Sequence, residues 1–493
     1  MINPASPEIT RLPRRSYTTQ WDTIGRRTHE GASGDGCGLL PRRSEARAAP
    51  AEPSARKEYI VGTTKAAVAL GLDFGTSNTV AALADGAGNS RLVEFAGAEA
   101  TGPVFRSALC FWEDEQARNG VAHEAGPWAI AEYLQSPLDS RFVQSFKTVA
   151  ASPLFERALI FNRPFRFEDL GRLFLQRLVA HAGGRLDDRP ARVVVGRPVE
   201  YAGARPDPAL ARQRYDLMLR EFGTELFYVH EPLGAAFSYA ARLTEPATIL
   251  VADFGGGTTD FSLVRVGEVG ASRRCLPLAS SGVAIAGDRF DQRIVERLVL
   301  PLLGKGGRYR SMGKVLDIPD GYYAEFADWS RLALMRNRRT LDELARLQRD
   351  ALEPEHIGRM IAMIEHEQGF PLYDTVGRLK RELSAAEHAE LRFSGDGVEI
   401  AAEVRRADFE EWIADDLRRI EATLDAVLAR ASTAVQDVDR VFLTGGSSLI
   451  PAVRAMFERR FDPDRIATGG ELTSIAHGLA LIGEQANPAE WAA

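Results

Sequence analysis

Beyond residue 65 the chain is a succession of short apolar runs closed by glycine-rich turns, separated by stretches with helical spacing. AAVALGLDFGTSNTVAAL at 66–83 is apolar, then polar around Gly75, then apolar again. That pattern predicts a hairpin whose first strand is buried on both faces. ATILVADFGGGTTDFSLVRV at 247–266 repeats the plan, with Asp253 lying 180 residues after Asp73, and predicts an internal duplication. ARVVVGRPVEY at 191–201 reads as another buried strand. FYVHEPLGAAFSYAARL at 227–243 reads as a strand entering an alanine-rich helix, and DRVFLTGGSSLIPAVRAMFERRF at 439–461 as a strand, a Gly-Gly turn and an amphipathic helix. Strands alternating with helices predict an α/β fold with mainly parallel sheets. From Asp291 to Ser384, Leu, Met and Ile recur at helical spacing between charges, which predicts an inserted helical subdomain with solvated charged faces.

The first 65 residues break this pattern. They are rich in Arg, Pro, Ser and Gly without apolar periodicity, so they cannot bury enough surface to offset the entropy of ordering. A disordered basic tail is expected there, with no apolar segment of the signal-peptide kind. The 493 residues as a whole are 45% hydrophobic and 26% charged, values of an ordinary soluble protein of two or three domains. A formal net charge of −7 gives no electrostatic reason to expect nucleic acid or an anionic membrane as partner. No apolar run approaches the ~20 residues of a membrane span. Cys37, Cys110 and Cys275 are too scattered for a disulfide framework or a Cys-type zinc site, so a reducing cytoplasm is the expected compartment.

Each Asp-Phe-Gly turn ends a buried strand at its carboxyl end, where ligands of α/β sheets bind. Asp73 and Asp253 are hard oxygen donors suited to Mg²⁺, which takes few protein ligands and keeps its waters. The glycines and hydroxyls that follow them offer N–H and O–H donors to phosphate oxygens. Two such hairpins facing one another could hold the phosphates of a nucleotide. The same tripeptide occurs in protein kinases, but no H-R-D-x-x-x-x-N catalytic loop accompanies it here. GGRYRSMGKV, around Lys314, has the wrong spacing for a P-loop and places Val315 where Ser or Thr is required.

Taken in order, these segments resemble the Hsp70 molecular chaperones. GLDFGTSNTVAAL, VADFGGGTTDFSLV and VFLTGGSSLIPAVRAMF are similar to that family's two phosphate motifs and its adenosine motif. HEPLGAAFSYA and SIAHGLAL (474–481) resemble its two connecting motifs, and VGRLKRELS (376–384) its adenine-binding helix. The likeness runs from about residue 66 to 485. It implies the actin/Hsp70-like ATPase fold: two lobes, each built on a ribonuclease-H-like sheet flanked by helices, with ATP or ADP and Mg²⁺ between them. On that likeness lobe I spans 66–246 and lobe II 247–470, with the helical insertion at about 292–390, and 471–493 form a C-terminal helix returning to lobe I.

The resemblance also implies roles. Asp73 and Asp253 would surround the hydrated Mg²⁺, and Asp260 would help to place a monovalent cation such as K⁺. Gly75, Thr76, Ser77 and Asn78, with Gly255, Gly256, Gly257 and Thr258, would bind phosphates. Gly445, Gly446 and Ser447 would approach the nucleoside, and Lys380, Arg381 and Ser384 would hold it, Arg381 stacking on the base. Glu231 would orient the attacking water, with Asp253 and Thr258 beside the reacting phosphate. Lys147, one of only six lysines, matches the family's catalytic lysine and would stabilise charge on the γ-phosphate.

Two departures stand out. Gly377 occupies a position that is normally glutamate in the family, and the chain ends near the second connecting motif. It therefore resembles the short bacterial Hsp70-like chaperones that carry a nucleotide-binding domain without a C-terminal substrate-binding domain. The expectation is an ATP-binding, slowly ATP-hydrolysing chaperone or nucleotide-dependent switch, with unfolded proteins or co-chaperones as further partners. A small-molecule kinase of the same superfamily, an actin-like scaffold and an ATP-binding protein without turnover remain alternatives at this level.

Overall fold

The computed structural model describes residues 66–492, except 97–100, 118, 204, 270–271, 328–331, 333–334 and 471. The tail expected at 1–65, with Cys37, lies outside the described residues. Two mixed sheets organise the rest.

The first sheet begins as an antiparallel meander of β1 (Ala69–Phe74), β2 (Asn78–Ala84) and β3 (Ser90–Leu92), with β4 (Val104–Arg106) pairing with the start of β2. β5 (Arg192–Arg197) then lies parallel to β1, and β6 (Glu225–His230) parallel to β5. The second sheet repeats this plan. β7 (Ala247–Phe254), β8 (Thr259–Val269) and β9 (Ser272–Val283) form the meander, and β10 (Arg440–Thr444) and β11 (Ile466–Thr468) add parallel strands beside β7. The orders β6-β5-β1-β2-β3 and β11-β10-β7-β8-β9 are the same topology twice. The sequence duplication is thus a duplication of sheets.

The side chains explain why the strands read as continuous apolar runs. Leu70, Leu72 and Phe74 of β1 point into one fully buried core with Phe105, Phe174 and Tyr215. Ala69 and Gly71 alternate with them and face a helix so close that only small residues fit. The second sheet is covered on one side by a larger core that includes Phe254, Phe261, Phe290 and Phe457.

Five helices position the candidate site. They are α1 (Glu231–Ala240), α2 (Gly287–Ile294), α3 (Gly369–Ala385), α4 (Arg406–Arg430) and α5 (Ser474–Glu484). α4 packs across β8 and β9. α1 and α5 pack against each other between the two sheets, where Leu233, Ile475 and Leu479 meet Val194 and Val229 of the first sheet and Ile249, Val251 and Phe442 of the second. α5 also packs on β1, β2 and β5.

The expected helical stretch after Asp291 is interrupted. Helices Arg338–Asp350, Pro354–Glu365 and α3 are present, but Arg308–Ser311 and Lys314–Asp317 form an antiparallel hairpin ahead of them. Met312 and Gly313 between these strands both take positive φ, 48° and 76°, the geometry of a two-residue hairpin turn. The segment without P-loop spacing is therefore an exposed hairpin. Among the described residues no helix is long and apolar enough to cross a membrane.

Candidate functional site

The turns that close β1–β2 and β7–β8 are built alike. Gly75 N–H donates to the carbonyl of Asn78 and Gly255 N–H to that of Thr258, each at 3.0 Å. The two turns touch. A Cβ built on Gly256 would lie 2.5 Å from Ser77 Oγ, and one on Gly257 would lie 3.6 Å from Thr76 Oγ1. A side chain at Gly256 would force the turns apart, so the glycine run has its physical reason in this close approach.

Further predicted residues converge on the start of α2. A Cβ on Gly287 would stand 2.8 Å from Ser447 Oγ, 3.3 Å from Lys380 Nζ and 3.5 Å from the Gly255 carbonyl. Lys380 Nζ donates to the Gly287 carbonyl at 3.0 Å and to Asp291 Oδ2 at 2.9 Å. Gly445 follows β10 with φ of 81° and packs its backbone on Phe254, and Gly446 opens the single turn Gly446–Leu449. Two residues of α3 behave differently. Arg381 is exposed, with its Nη1 3.6 Å from where a Cβ on Gly377 would lie. Ser384 donates its hydroxyl back to the Lys380 carbonyl at 2.9 Å, within its own helix.

Beneath the turns lies a cluster of buried charge. Lys147 Nζ donates to Glu231 Oε1 at 2.5 Å, and both side chains are at least nine-tenths buried. Ser145, two residues before the lysine, is left-handed at φ 55°, which bends the chain into the short helix carrying it. Lys147 is held charged: burial opposes its proton, but the nearby Glu231, Tyr215 and Asp73 outweigh it and raise its pKa. Asp73, at the end of β1, is pushed up to about 7, chiefly by burial and then by Glu231. Asp260 is also raised to about 7 by burial and Glu231, and Asp253 is raised well above its usual range by burial, Glu231, Asp73 and Asp260. The side chain of Asp260 is fully buried; its Oδ1 accepts from the Val199 and Glu200 amides, while Oδ2 has no hydrogen-bond partner among the described residues. Glu231, Asp73 and Asp253 thus share the Lys147 ammonium, and Asp260 is tied to the cluster through Glu231.

That arrangement is short of positive charge, and a divalent cation would supply it. Among the described residues no three His, Cys, Asp or Glu side chains stand close enough to encase a metal directly. The donor set suits a cation that keeps its water shell and meets carboxylates through it.

Sequence reasoning passed over two arginines, Arg106 and Arg197. Each closes a strand at the site, β4 and β5, and a cation ending an apolar run at the ligand-binding edge of a sheet was the signal to use. Arg197 Nη2 lies 2.9 Å from His230 Nε2, and the guanidinium stands over the ring of Tyr201. Burial and then this arginine push the pKa of His230 down to about 4. A folded-state value below the unfolded one, about 6.5, means that the unfolded chain gains a proton the folded chain refuses. Stability is then lost as pH falls from about 6.5 toward 4. His230→Gln, which keeps an acceptor for Arg197, should flatten this loss by on the order of 2 kcal/mol at pH 4.5 relative to pH 7.5, read from urea unfolding of both proteins. Parallel pH profiles for the two would refute the assignment.

Comparison with known proteins places the chain. A family model described as Hsp70 protein matches residues 367–490, from the start of α3 to beyond α5. Over this stretch the chain is similar to Hsp70 proteins. It is 22% identical over 432 residues to the chaperone protein DnaK of Mycoplasmopsis agalactiae, covering 85% of this chain and 59% of that protein. The DnaK of Deinococcus proteolyticus is 24% identical over 405 residues, 79% of this chain and 54% of its own. The stromal 70 kDa heat shock-related protein of Pisum sativum chloroplasts is 24% identical over 328 residues, 65% of this chain and 38% of its own. The chain spans about half the length of the curated relatives it matches.

Proposed function

We infer that this chain binds ATP with Mg²⁺ in the gap between the turns at 75–78 and 255–258 and hydrolyses it slowly, acting as an Hsp70-like chaperone or nucleotide-dependent switch. The observation that carries the reading is the contact of two like turns from two like sheets, each following a buried aspartate, Asp73 or Asp253, that feels the buried Lys147–Glu231 pair. The turns offer backbone N–H groups and the hydroxyls of Thr76, Ser77 and Thr258 to phosphate oxygens. Lys147 presents a permanent positive charge toward the reacting phosphate, and Glu231, oriented by that ammonium, holds the attacking water. Asp73 and Asp253 would hold Mg²⁺ through its waters, and Asp260 a monovalent cation; bound Mg²⁺ would neutralise and align the phosphates. Lys380, Gly445, Gly446 and Ser447 would line the nucleoside end, and Arg381, free to swing at the surface, would close over the base.

The two sheets would be the cores of lobes I (66–246) and II (247–470, insertion at about 292–390), and the packing of α5 on β1 supports its assignment to lobe I. Closure of the lobes on ATP would be the conformational output. Unfolded proteins and co-chaperones are the partners this family relationship points to. The buried, widely separated Cys110 and Cys275 fit a reducing cytoplasm.

Calorimetry with ATP and Mg²⁺ tests the reading. Wild-type protein should bind, and Thr258→Ala should keep that affinity within about three-fold while slowing phosphate release about 10- to 100-fold, as expected for loss of one donor at the reacting group. Absence of measurable ATP affinity in the wild-type protein sinks the proposal.

A further inference from the structure

Arg106 closes β4, where its register partner is Asn78, the last residue of the first turn. Three hydrogen bonds fasten this point of the chain to that turn. Arg106 Nη1 donates to Asn78 Oδ1 at 3.2 Å, Ser107 N–H to the Ser77 carbonyl at 3.0 Å, and Ser107 Oγ to the Gly75 carbonyl at 2.7 Å. Ser107 Oγ also lies 2.9 Å from Thr79 Oγ1, so the anchor is buried and fully bonded. The guanidinium is therefore held at the mouth of the gap between the two turns.

Its surroundings come from the other sheet. Asp288 begins α2 and stands beside the second turn: its carboxylate oxygens lie 3.3 and 3.5 Å from where a Cβ on Gly256 would be, and its N–H donates to the Gly256 carbonyl at 2.8 Å. Burial lowers the pKa of Arg106, Asp288, Asp374 and Asp291 oppose that lowering, and Arg381 adds to it. Asp291 already engages Lys380. Among the described residues this half-buried guanidinium makes one hydrogen bond, to a neutral amide, and its five N–H groups in a rigid fork leave donors to spare. Phosphate oxygens match such a fork bidentately, and a polyphosphate chain offers several of them.

Resting on the nucleotide reading above, we propose that Arg106 is a phosphate-binding residue, a second cation that reaches the nucleotide's phosphates from the mouth of the gap while Lys147 reaches them from beneath. The ligand it recognises is the di- or triphosphate chain, and it is indifferent to the nucleoside. Asn78 is its positioning partner, fixing the guanidinium before the ligand arrives.

The test compares affinities for ATP, ADP and adenosine in wild-type protein and Arg106→Gln. Glutamine keeps a donor for Asn78 but no charge. Affinity for ATP and ADP should fall about 10- to 100-fold, the range of a lost charge-assisted fork, and adenosine should bind unchanged. Arg106→Met, which keeps the apolar stem, gives the same comparison should glutamine disturb the fold. Arg106→Lys restores a point charge and should return ATP affinity to within about ten-fold of wild type. Unchanged ATP binding in the glutamine and methionine variants overturns the assignment, as does an equal loss for adenosine. Wild-type protein without ATP affinity would instead sink the nucleotide reading itself.

Discussion

Lys147→Ala is expected to reduce ATP turnover at least ~100-fold and to destabilise the folded protein by about 3–5 kcal/mol, the usual consequence of leaving a buried charge without its partner. The structural reason is the 2.5 Å contact between Nζ and Glu231 Oε1, both shielded from water. Without the ammonium, Glu231 loses its ion-pair partner while it faces Asp73, Asp253 and Asp260, and burial has already driven all three aspartates upward. Stability and catalysis can be separated. Lys147→Ala/Glu231→Gln removes both charges and should recover most of the lost stability, measured by denaturant unfolding, while turnover stays at the single-mutant level. Lys147→Arg should also turn over poorly, because a planar fork cannot replace a compact ammonium in that enclosed position. Wild-type turnover in Lys147→Ala would remove the lysine from the mechanism.

That ion pair shows where sequence reading succeeds and where it needs the fold. The turns at 75–78 and 255–258 were legible because their signal is local: an apolar run, an aspartate, glycines and hydroxyls in order. Lys147 and Glu231 are 84 residues apart, and nothing local in either segment says that they meet. Only the resemblance to a family brought them into one site. Arg106 and Arg197 escaped because an arginine ending a strand looks like any surface cation until the strand's neighbours are known. In the stretch after Asp291, periodicity pointed to helix throughout, yet Met312-Gly313 nucleates a hairpin whose strands are exposed and carry little hydrophobic signal. Ser384 matched a family position by type, while its hydroxyl bonds its own helix, a choice side-chain identity alone does not disclose.

Gly478 carries the second large effect. Alanine there should destabilise the protein by more than ~3 kcal/mol or prevent folding, and valine should be worse. The cause is backbone against backbone: a Cβ on Gly478 of α5 would sit 1.6 Å from the Gly234 carbonyl oxygen of α1 and 3.0 Å from the Ser238 amide nitrogen. No rotamer change can relieve that contact. The reciprocal position is nearly as tight, since a Cβ on Gly234 would lie 3.1 Å from the Ile475 carbonyl. Two helices crossing through paired glycines approach more closely than side chains permit, and here they do so between the two sheets, amid Leu233, Leu479 and Val251. Forcing them apart would open that core on both sides. Gly267→Ala, in β8 with no described atom within 4 Å of its Cβ, is the matched control and should not destabilise the protein. The crossing also bears on the site, because Glu231 and Gly234 share α1, so a shift at Gly234 moves the carboxylate that Lys147 holds. Any Gly478→Ala protein that folds should therefore show reduced turnover in phosphate-release assays at saturating ATP, with ATP affinity less affected. Normal stability and turnover together would mean that the helices have room to separate and that their glycines serve no close approach.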